Sequence, residues 1–181
     1  MIESIGGVYG RFQPIHNEHR QYILKTLRNC EYLIICITCP DPGSRFRPEM
    51  EPERASSEAN PFSYFERLQM IEKMLDYESI PRKKYDIVPI SFSKLNYICH
   101  YVPDEIVFYT IIYGEWGEEK RNMLKSVGFE VDELPDSETH EKSVTGTEVR
   151  KKISNQEQWS HLVPDPVYKY ISENNLHHRL Y

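Results

Sequence analysis

The sequence predicts an α/β protein with a Rossmann-like open parallel sheet, helices on both faces and a small C-terminal helical extension. Two observations support this prediction. Continuous apolar runs of strand length recur along the chain, and segments with one apolar face and recognisable helix ends stand between them. A strand, a helix and a second strand fall within the first 40 residues, which makes a βαβ unit with a right-handed connection. Residues 1–181 are expected to form a single domain.

The first half of the chain supplies three predicted strands and two predicted helices. Residues 2–9 and 31–39 are continuous apolar runs, and a helix over about residues 17–28 lies between them. Ser63 and Glu66 form a capping box, so a second helix begins there. A third strand covers residues 85–90.

The second half continues the alternation. Strands are predicted over residues 106–113 and 129–134, and a helix over residues 120–128 lies between them. Thr145 and Glu148 suggest a second capping box, which begins a helix that extends to Ile153. A last helix covers residues 167–174, so residues 145–181 form a C-terminal helical part.

Residues 40–60 interrupt this pattern. Prolines and arginines are frequent here and no hydrophobic period survives, so we expect a long insertion loop. Loops of this length are usually functional lids or disordered insertions, and the sequence leaves both readings open.

Composition excludes several classes of protein. Lys plus Arg is 22 and Asp plus Glu is 28, giving a net charge of −6, which argues against nucleic-acid binding. There is no apolar run long enough to span a membrane and no basic segment followed by an apolar run that would indicate a secretory signal. The four cysteines are expected to be reduced thiols in a cytoplasmic protein.

Polar residues follow the predicted strands where parallel sheets bind ligands. After the first strand, Gly10 allows close backbone approach, Arg11 offers a planar fork for phosphate oxygens, and His16 and His19 share one face of a helix start. Together they predict a phosphate cradle. Taken alone, the histidine pair reads more simply as cap or surface residues, and no third ligand with helical spacing supports a metal site.

Two further segments occupy similar positions. Residues 114–117 follow the fourth predicted strand. Thr145, Thr147 and Arg150 stand at the start of a helix, whose N–H groups and dipole favour an anion. Taken alone, this last segment is more simply interpreted as a capped surface helix.

The two end motifs together resemble a known family. GRFQPIHNEH at residues 10–19 and TGTEVRKKI at residues 145–153 are similar to the HxGH nucleotidyltransferases, and within them to archaeal-type nicotinamide-nucleotide adenylyltransferases. The stretches NPFSYFERLQMIEKML, KKYDIVPI, IIYGEWGEEKRNMLKSVGFEV and WSHLVPDPVYKYI extend the resemblance over nearly the whole chain.

This resemblance implies transfer of a nucleoside monophosphate from a nucleoside triphosphate to a phosphomonoester with loss of pyrophosphate. It favours ATP and nicotinamide mononucleotide as substrates, giving NAD, with Mg²⁺ carried by the nucleotide. It also implies a homo-oligomer. It assigns catalysis to Arg11, His16, His19 and Arg150. The nucleotide-binding residues it implies are Gly10, Arg11, Phe12, Gln13, His16, His19, Gly114, Thr145, Thr147 and Arg150. The acceptor-binding residues are Arg45, Arg47, Asn60, Phe62, Asn96 and Tyr97, and no residue is predicted as a metal ligand.

Three positions depart from the pattern of that family. Glu18 stands where the family has glycine, and Ala59 where it has a basic residue, for which Arg45, Arg47 or Arg54 is the expected substitute. Residues 96–99 read Asn-Tyr-Ile-Cys instead of Asn-Ala-Leu-Trp. A cytidylyltransferase or adenylyltransferase acting on another small phosphate or phosphonate is therefore an alternative, and a non-catalytic nucleotide sensor is a second one.

Overall fold

The centre of the fold is a parallel sheet. The structure, a computed structural model, describes residues 3–44, 56–112, 114–135 and 144–180, and within them five strands are arranged in the order β3-β2-β1-β4-β5. They are β1 (Glu3–Gly10), β2 (Cys30–Thr38), β3 (Tyr85–Ile90), β4 (Val107–Thr110) and β5 (Glu130–Glu133). The predicted open parallel sheet is confirmed. Its order reverses between β1 and β4, and ligands bind at such a switch point in sheets of this type.

Helices cover both faces of the sheet. They are α1 (Asn17–Thr26), α2 (Tyr64–Tyr77), α3 (Gly114–Ser126), α4 (Gly146–Ser154) and α5 (Asp165–Glu173). Short 3-10 segments lie at Pro42–Ser44, Arg82–Lys84, Phe92–His100, Ser160–Leu162 and Leu176–Leu180. Because strand side chains alternate between the faces, Leu33, Ile35 and Ile37 of β2 pack with α1, α2, α4 and α5, whereas Ile34 and Cys36 pack with α3 and the Phe92–His100 segment.

The helix starts follow the predicted capping residues. The Ser63 hydroxyl accepts a hydrogen bond from the Glu66 N–H at 3.2 Å, and the Ser63 N–H donates to the Glu66 carboxylate at 2.8 Å. Thr145 caps α4 by accepting from the Glu148 N–H at 3.1 Å. The C-terminal helical part is also confirmed, and Arg179 ties it to α2 through two hydrogen bonds to the Glu66 carboxylate, at 2.7 and 2.8 Å.

Two predictions around the fourth strand were wrong. The strand predicted over residues 106–113 ends at Thr110, and the helix predicted to begin at residue 120 already begins at Gly114, so residues 114–117 form the first turn of α3. The ladder explains the early end, because Thr110 pairs with Glu133, the last residue of β5, and β1 pairs with β4 only at Gly6 and Gly7. The 3-10 segment Phe92–His100 was not predicted. Its buried residues Phe92, Leu95 and Ile98 recur every three residues.

The insertion loop is described only at its ends. The structure covers residues 40–44 and 56–60 of it, so Arg45, Arg47 and Arg54 lie outside the described residues. Among the helices that are described, none has both the length and the apolar character needed to cross a membrane.

Candidate functional site

A cavity of about 370 Å³ lies at the switch point of the sheet. This first cavity is walled by the ends of β1 and β4, the loop that follows β1, and the starts of α1, α3 and α4. Nine of the ten residues predicted to bind the nucleotide line it, the exception being Gly114. Gly117, one turn further along α3, lines the cavity instead of Gly114. The fold therefore gathers the two end motifs of the sequence around one space.

The histidine pair is held in a fixed arrangement. His16 is the N-cap of α1 and is only 4% exposed. Its ring stacks on His19 with centroids 3.7 Å apart, and the Phe12 ring packs edge-on against His19 at 4.9 Å. Phe12 has a φ of 52°, and its ring lies so close to Gly10 that a Cβ there would approach it to 2.8 Å. Gly10 thus lets the loop close over the ring that supports His19.

Gln13 lines the first cavity, but its side-chain amide serves the fold. The amide donates to the Phe62 carbonyl at 2.8 Å and accepts from the Phe62 N–H at 3.0 Å. Phe62 itself is 2% exposed and belongs to the hydrophobic core. The structure therefore places Phe62 in the core, and Gln13 fixes the chain before α2 to the loop after β1.

Arg150 joins α4 to the same loop. Its guanidinium donates to the Gln13 carbonyl at 2.6 Å and to the Thr147 hydroxyl at 3.1 Å. Burial, with a smaller effect from the like charge of Arg11, lowers the pKa of Arg150 to about 10, so the group stays cationic at neutral pH. A Cβ on Gly146 would lie 3.0 Å from the Gln13 carbonyl oxygen, so any larger residue would require this backbone to shift. The start of α4 therefore faces the first cavity with a fixed positive charge.

Arg67, a residue that the sequence analysis did not assign to the site, holds the opposite side of the loop. It is 1% exposed, and its guanidinium donates to the carbonyl oxygens of Arg11 and Thr38, each at 2.8 Å. It also donates to the carbonyls of Cys39 at 2.9 Å and Ser63 at 3.2 Å. Burial lowers the pKa of Arg67 to about 10. The only sequence signal was its place in the FSYFER stretch, which carries no indication of these contacts.

The remaining wall of the first cavity is aromatic. The Tyr9 and Thr110 hydroxyls lie 3.0 Å apart, and burial raises the pKa of Tyr9, so the phenol is neutral. Lys120 of α3 also lines the cavity, and its Nζ lies 4.9 Å from the centre of the Trp116 ring. Lys120 was not predicted, because a single lysine on a charged helix has no distinguishing pattern. Glu18 lines the cavity as well.

The predicted acceptor residues are not gathered in one place. Tyr97 lines a second cavity of about 370 Å³, which is formed mainly by residues after β2, the end of β3 and the Phe92–His100 segment. There its ring stacks on His100 with centroids 6.2 Å apart. Asn60, Phe62 and Asn96 are absent from the walls of both cavities, and the acceptor roles of Asn60, Phe62, Asn96 and Tyr97 stay predictions.

Comparison with known proteins agrees with this arrangement. The sequence profile of a family described as cytidylyltransferase-like matches residues 8–152. A phosphonoformate cytidylyltransferase of Streptomyces viridochromogenes is 31% identical over 179 residues, which are 99% of this chain and 96% of that protein. The nicotinamide-nucleotide adenylyltransferase of Saccharolobus solfataricus is 32% identical over 92% of this chain and 90% of its own. That of Methanococcus aeolicus is 32% identical over 92% and 87%.

A solved structure shares the fold. The bifunctional NMN adenylyltransferase/ADP ribose pyrophosphatase of Francisella tularensis superposes with a TM-score of 0.66 at 20% identity over 96% of this chain. The present chain spans 54% of that larger protein. At this identity the match concerns the architecture alone.

Proposed function

The chain belongs to the cytidylyltransferase-like family and is a nucleotidyltransferase, and from that premise we propose that it transfers CMP from CTP to a small phosphonate or phosphomonoester. The relative that supports this choice is named a phosphonoformate cytidylyltransferase and aligns over 99% of the chain. The observation that carries the choice of a small acceptor is the 96–99 stretch. Cys99, which is exposed, stands where the resembling adenylyltransferases have a tryptophan, and the nearby Tyr97 ring is already stacked on His100.

In the proposed reaction an acceptor oxygen attacks the α-phosphorus of the triphosphate. The new oxygen–phosphorus bond forms as the bond from the α-phosphorus to the bridging oxygen breaks, and pyrophosphate leaves with the electron pair. Such transfers need positioning and charge stabilisation more than covalent help from the protein. His16, His19 and Arg11 would stabilise charge on the α-phosphate, and the N-terminus of α4 with Thr147 and Arg150 would hold the departing pyrophosphate.

Mg²⁺ belongs to this proposal as an ion brought by the nucleotide. It prefers oxygen ligands and is commonly held through substrate phosphates with one or two carboxylates. Within the described residues there is no cluster of three or more His, Cys, Asp or Glu side chains, and Glu18 is the carboxylate in the wall of the first cavity. The phosphates would therefore be its main ligands, with Glu18 within the same space.

ATP and nicotinamide mononucleotide form the second candidate pair. Two relatives named nicotinamide-nucleotide adenylyltransferases, each 32% identical over 92% of the chain, favour it. The chemistry and the donor site would be unchanged, and only the base and the acceptor would differ.

The experiment is pyrophosphate release with Mg²⁺, crossing CTP and ATP with phosphonoformate, phosphate and nicotinamide mononucleotide. We expect turnover with CTP and the small acceptor to exceed turnover with ATP and nicotinamide mononucleotide. His16→Asn should reduce the rate by about 10²–10³-fold, the usual effect of removing one stabilising group. His161→Asn, at an exposed position outside both cavities, is the matched control. Turnover only with ATP and nicotinamide mononucleotide would establish the second candidate instead.

A further inference from the structure

The first cavity lies where two neighbouring strands of the sheet part from each other. The ladder between β1 and β4 pairs Gly6 with Val107 and Gly7 with Phe108. β1 stays paired with β2 as far as Gly10, so β1 itself continues beyond its last contact with β4. Buried N–H and C=O groups in proteins are nearly always hydrogen-bonded. Backbone groups that face the opening between the two strands therefore need partners from another element.

A tyrosine hydroxyl from α1 supplies such a partner to both strands. The Tyr22 hydroxyl accepts a hydrogen bond from the Tyr9 N–H at 3.5 Å and donates one to the Tyr109 carbonyl. Both backbone groups lie beyond the last paired residues of β1 and β4. A hydroxyl can serve them together because it is a donor and an acceptor at once. Burial raises the pKa of Tyr22 well above its ordinary value, so the hydroxyl keeps the proton that it donates.

The ring of Tyr22 fills the space between α1 and β4. It packs against the large core cluster that includes Ile35 of β2, and also against the small cluster of Val107, Tyr109 and Leu134. The same side chain lines the first cavity. Tyr22 is therefore a spacer between the helix and the parted strands, and it forms part of the cavity wall.

Tyr22 lies on the helix that carries the histidine pair. It follows His19 by three residues and His16 by six, a spacing that places all three along one side of α1. α1 is a continuous hydrogen-bonded helix, so a side chain that fixes its distance from β4 also fixes where the histidine rings stand. Trp116 and Gly117 lie in the wall of the same cavity that follows β4 in the chain. The Tyr22 bridge thus controls the separation of these two walls.

We propose that Tyr22 is a positioning residue whose hydroxyl bridge between β1 and β4 sets the width of the first cavity, and with it the placement of His16 and His19 against the donor triphosphate. This inference rests on the proposed function, because it takes the two histidines as groups that stabilise charge on the α-phosphate. A displacement of about 1 Å in such a group can cost a large part of its effect on the rate. Binding of the triphosphate also depends on Arg11 and Arg150, so the loss should fall on kcat more than on the KM for CTP.

The kinetic test uses Tyr22→Phe, which removes the hydroxyl and keeps the ring. With CTP and phosphonoformate, at a temperature where urea unfolding shows the variant to be folded, kcat should fall at least about tenfold and the KM for CTP should change less than about threefold. Tyr64→Phe is the matched control. The Tyr64 hydroxyl of α2 donates to the Ile87 carbonyl of β3 at 3.4 Å, and Tyr64 lines neither cavity. The control removes the same kind of bond between a helix and a strand, and its kcat should be unchanged.

Two outcomes of this assay overturn the inference. One is an unchanged kcat in Tyr22→Phe. The other is an equal fall of kcat in both variants, which would show a general effect of lost stability. If the wild type turns over ATP and nicotinamide mononucleotide instead, this pair replaces CTP and phosphonoformate, and the same expectations apply.

A second test needs no substrate, so it separates failure of this inference from failure of the proposed function. The rings of His16 and His19 are stacked with centroids 3.7 Å apart, and their NMR resonances report on the position of α1. Tyr22→Phe should shift the ring resonances of both histidines and leave those of His161 unchanged. Amide hydrogen exchange of Tyr9 should be slow in the wild type and at least about tenfold faster in Tyr22→Phe.

Unchanged histidine resonances, or rapid exchange of the Tyr9 amide in the wild type, would refute the role of Tyr22. A wild type that releases no pyrophosphate with any substrate pair would refute the proposed function. In that case the resonances and the exchange rate would still decide whether Tyr22 positions the histidine pair.

Discussion

Replacing Arg67 with methionine removes the group that joins three parts of the site. The side chain is 1% exposed, and it donates hydrogen bonds to four carbonyl oxygens, those of Arg11, Thr38, Cys39 and Ser63. These carbonyls belong to the loop after β1, the end of β2 and the chain that enters α2. Methionine has a similar length and no side-chain donor. The substitution therefore takes the guanidinium from all four carbonyls, and the Ser63 carbonyl keeps the backbone N–H of residue 67 as a donor, at 3.2 Å.

The expected loss of stability follows from two opposing contributions. A buried carbonyl without a donor costs about 1–3 kcal/mol. Against this, burial lowers the pKa of Arg67 from 12.5 to about 10, which corresponds to about 3 kcal/mol of desolvation that methionine does not suffer. Taking about 2 kcal/mol for each of the three carbonyls other than that of Ser63, the net loss is about 3 kcal/mol. For a protein of this size that lowers the Tm by about 6–12 °C.

Urea unfolding and thermal melting measure this loss, and pyrophosphate release measures the effect on the site. Displacement of the Arg11 segment should reduce kcat/KM by at least about tenfold at temperatures where the variant is folded. Arg20→Met is the control, since Arg20 makes a partly exposed ion pair with Glu78 at 2.7 Å and should contribute less than about 1 kcal/mol. A loss below about 1 kcal/mol for Arg67→Met, together with full activity, would refute this reasoning.

Three further substitutions test other parts of the structure. Gly146→Ala places a methyl group 3.0 Å from the Gln13 carbonyl oxygen, and we expect a loss of about 1–3 kcal/mol in urea unfolding and a lower kcat. Glu18→Gly removes a carboxylate from the wall of the first cavity; tighter triphosphate binding in calorimetry is expected, and unchanged turnover and affinity would mean that Glu18 only faces solvent. Burial opposes ionisation of Glu66, but the hydrogen bonds from Arg179 outweigh it and hold the pKa of Glu66 below 4.5. This pair therefore stabilises the fold above about pH 4.5, and the stabilisation is lost as the pH falls through the lower pKa that Glu66 has in the folded protein. Glu66→Gln should cost roughly 0.5–1 kcal/mol of unfolding free energy at pH 7 and less at pH 3.

Much of the fold could be predicted from the sequence because β2 is apolar at every position from Leu33 to Ile37. A strand of that kind is buried on both faces, which requires helices on both sides of a parallel sheet. The end of β4 could not be found in the same way. The apolar run continues past Thr110, but the strand ends where its partner β5 ends, and strand pairing is not visible in a single run of residues.

The site was predictable where its residues are neighbours in sequence and not where the fold brings distant residues together. His16 and His19 are three positions apart, so helix geometry alone places them on one face. Gln13 and Phe62 are 49 positions apart, and Gln13 and Arg150 are 137 apart. Their contacts depend on packing that no local pattern encodes. The family resemblance gave Phe62 an acceptor role, and the backbone hydrogen bonds of Phe62 to Gln13 could not be inferred from it.

Two buried arginines hold the loop after β1 from opposite sides. Arg67 donates to the Arg11 carbonyl at 2.8 Å, and Arg150 donates to the Gln13 carbonyl at 2.6 Å. In the described part of the chain, both guanidinium groups donate hydrogen bonds to carbonyl and hydroxyl oxygens. Neutral acceptors satisfy the N–H donors and leave the positive charge in place. Carboxylate partners would ease the burial of each charge but would cancel the positive field at the wall of the first cavity. Burial lowers both pKa values to about 10, and this cost to stability accompanies a loop whose surroundings stay positively charged.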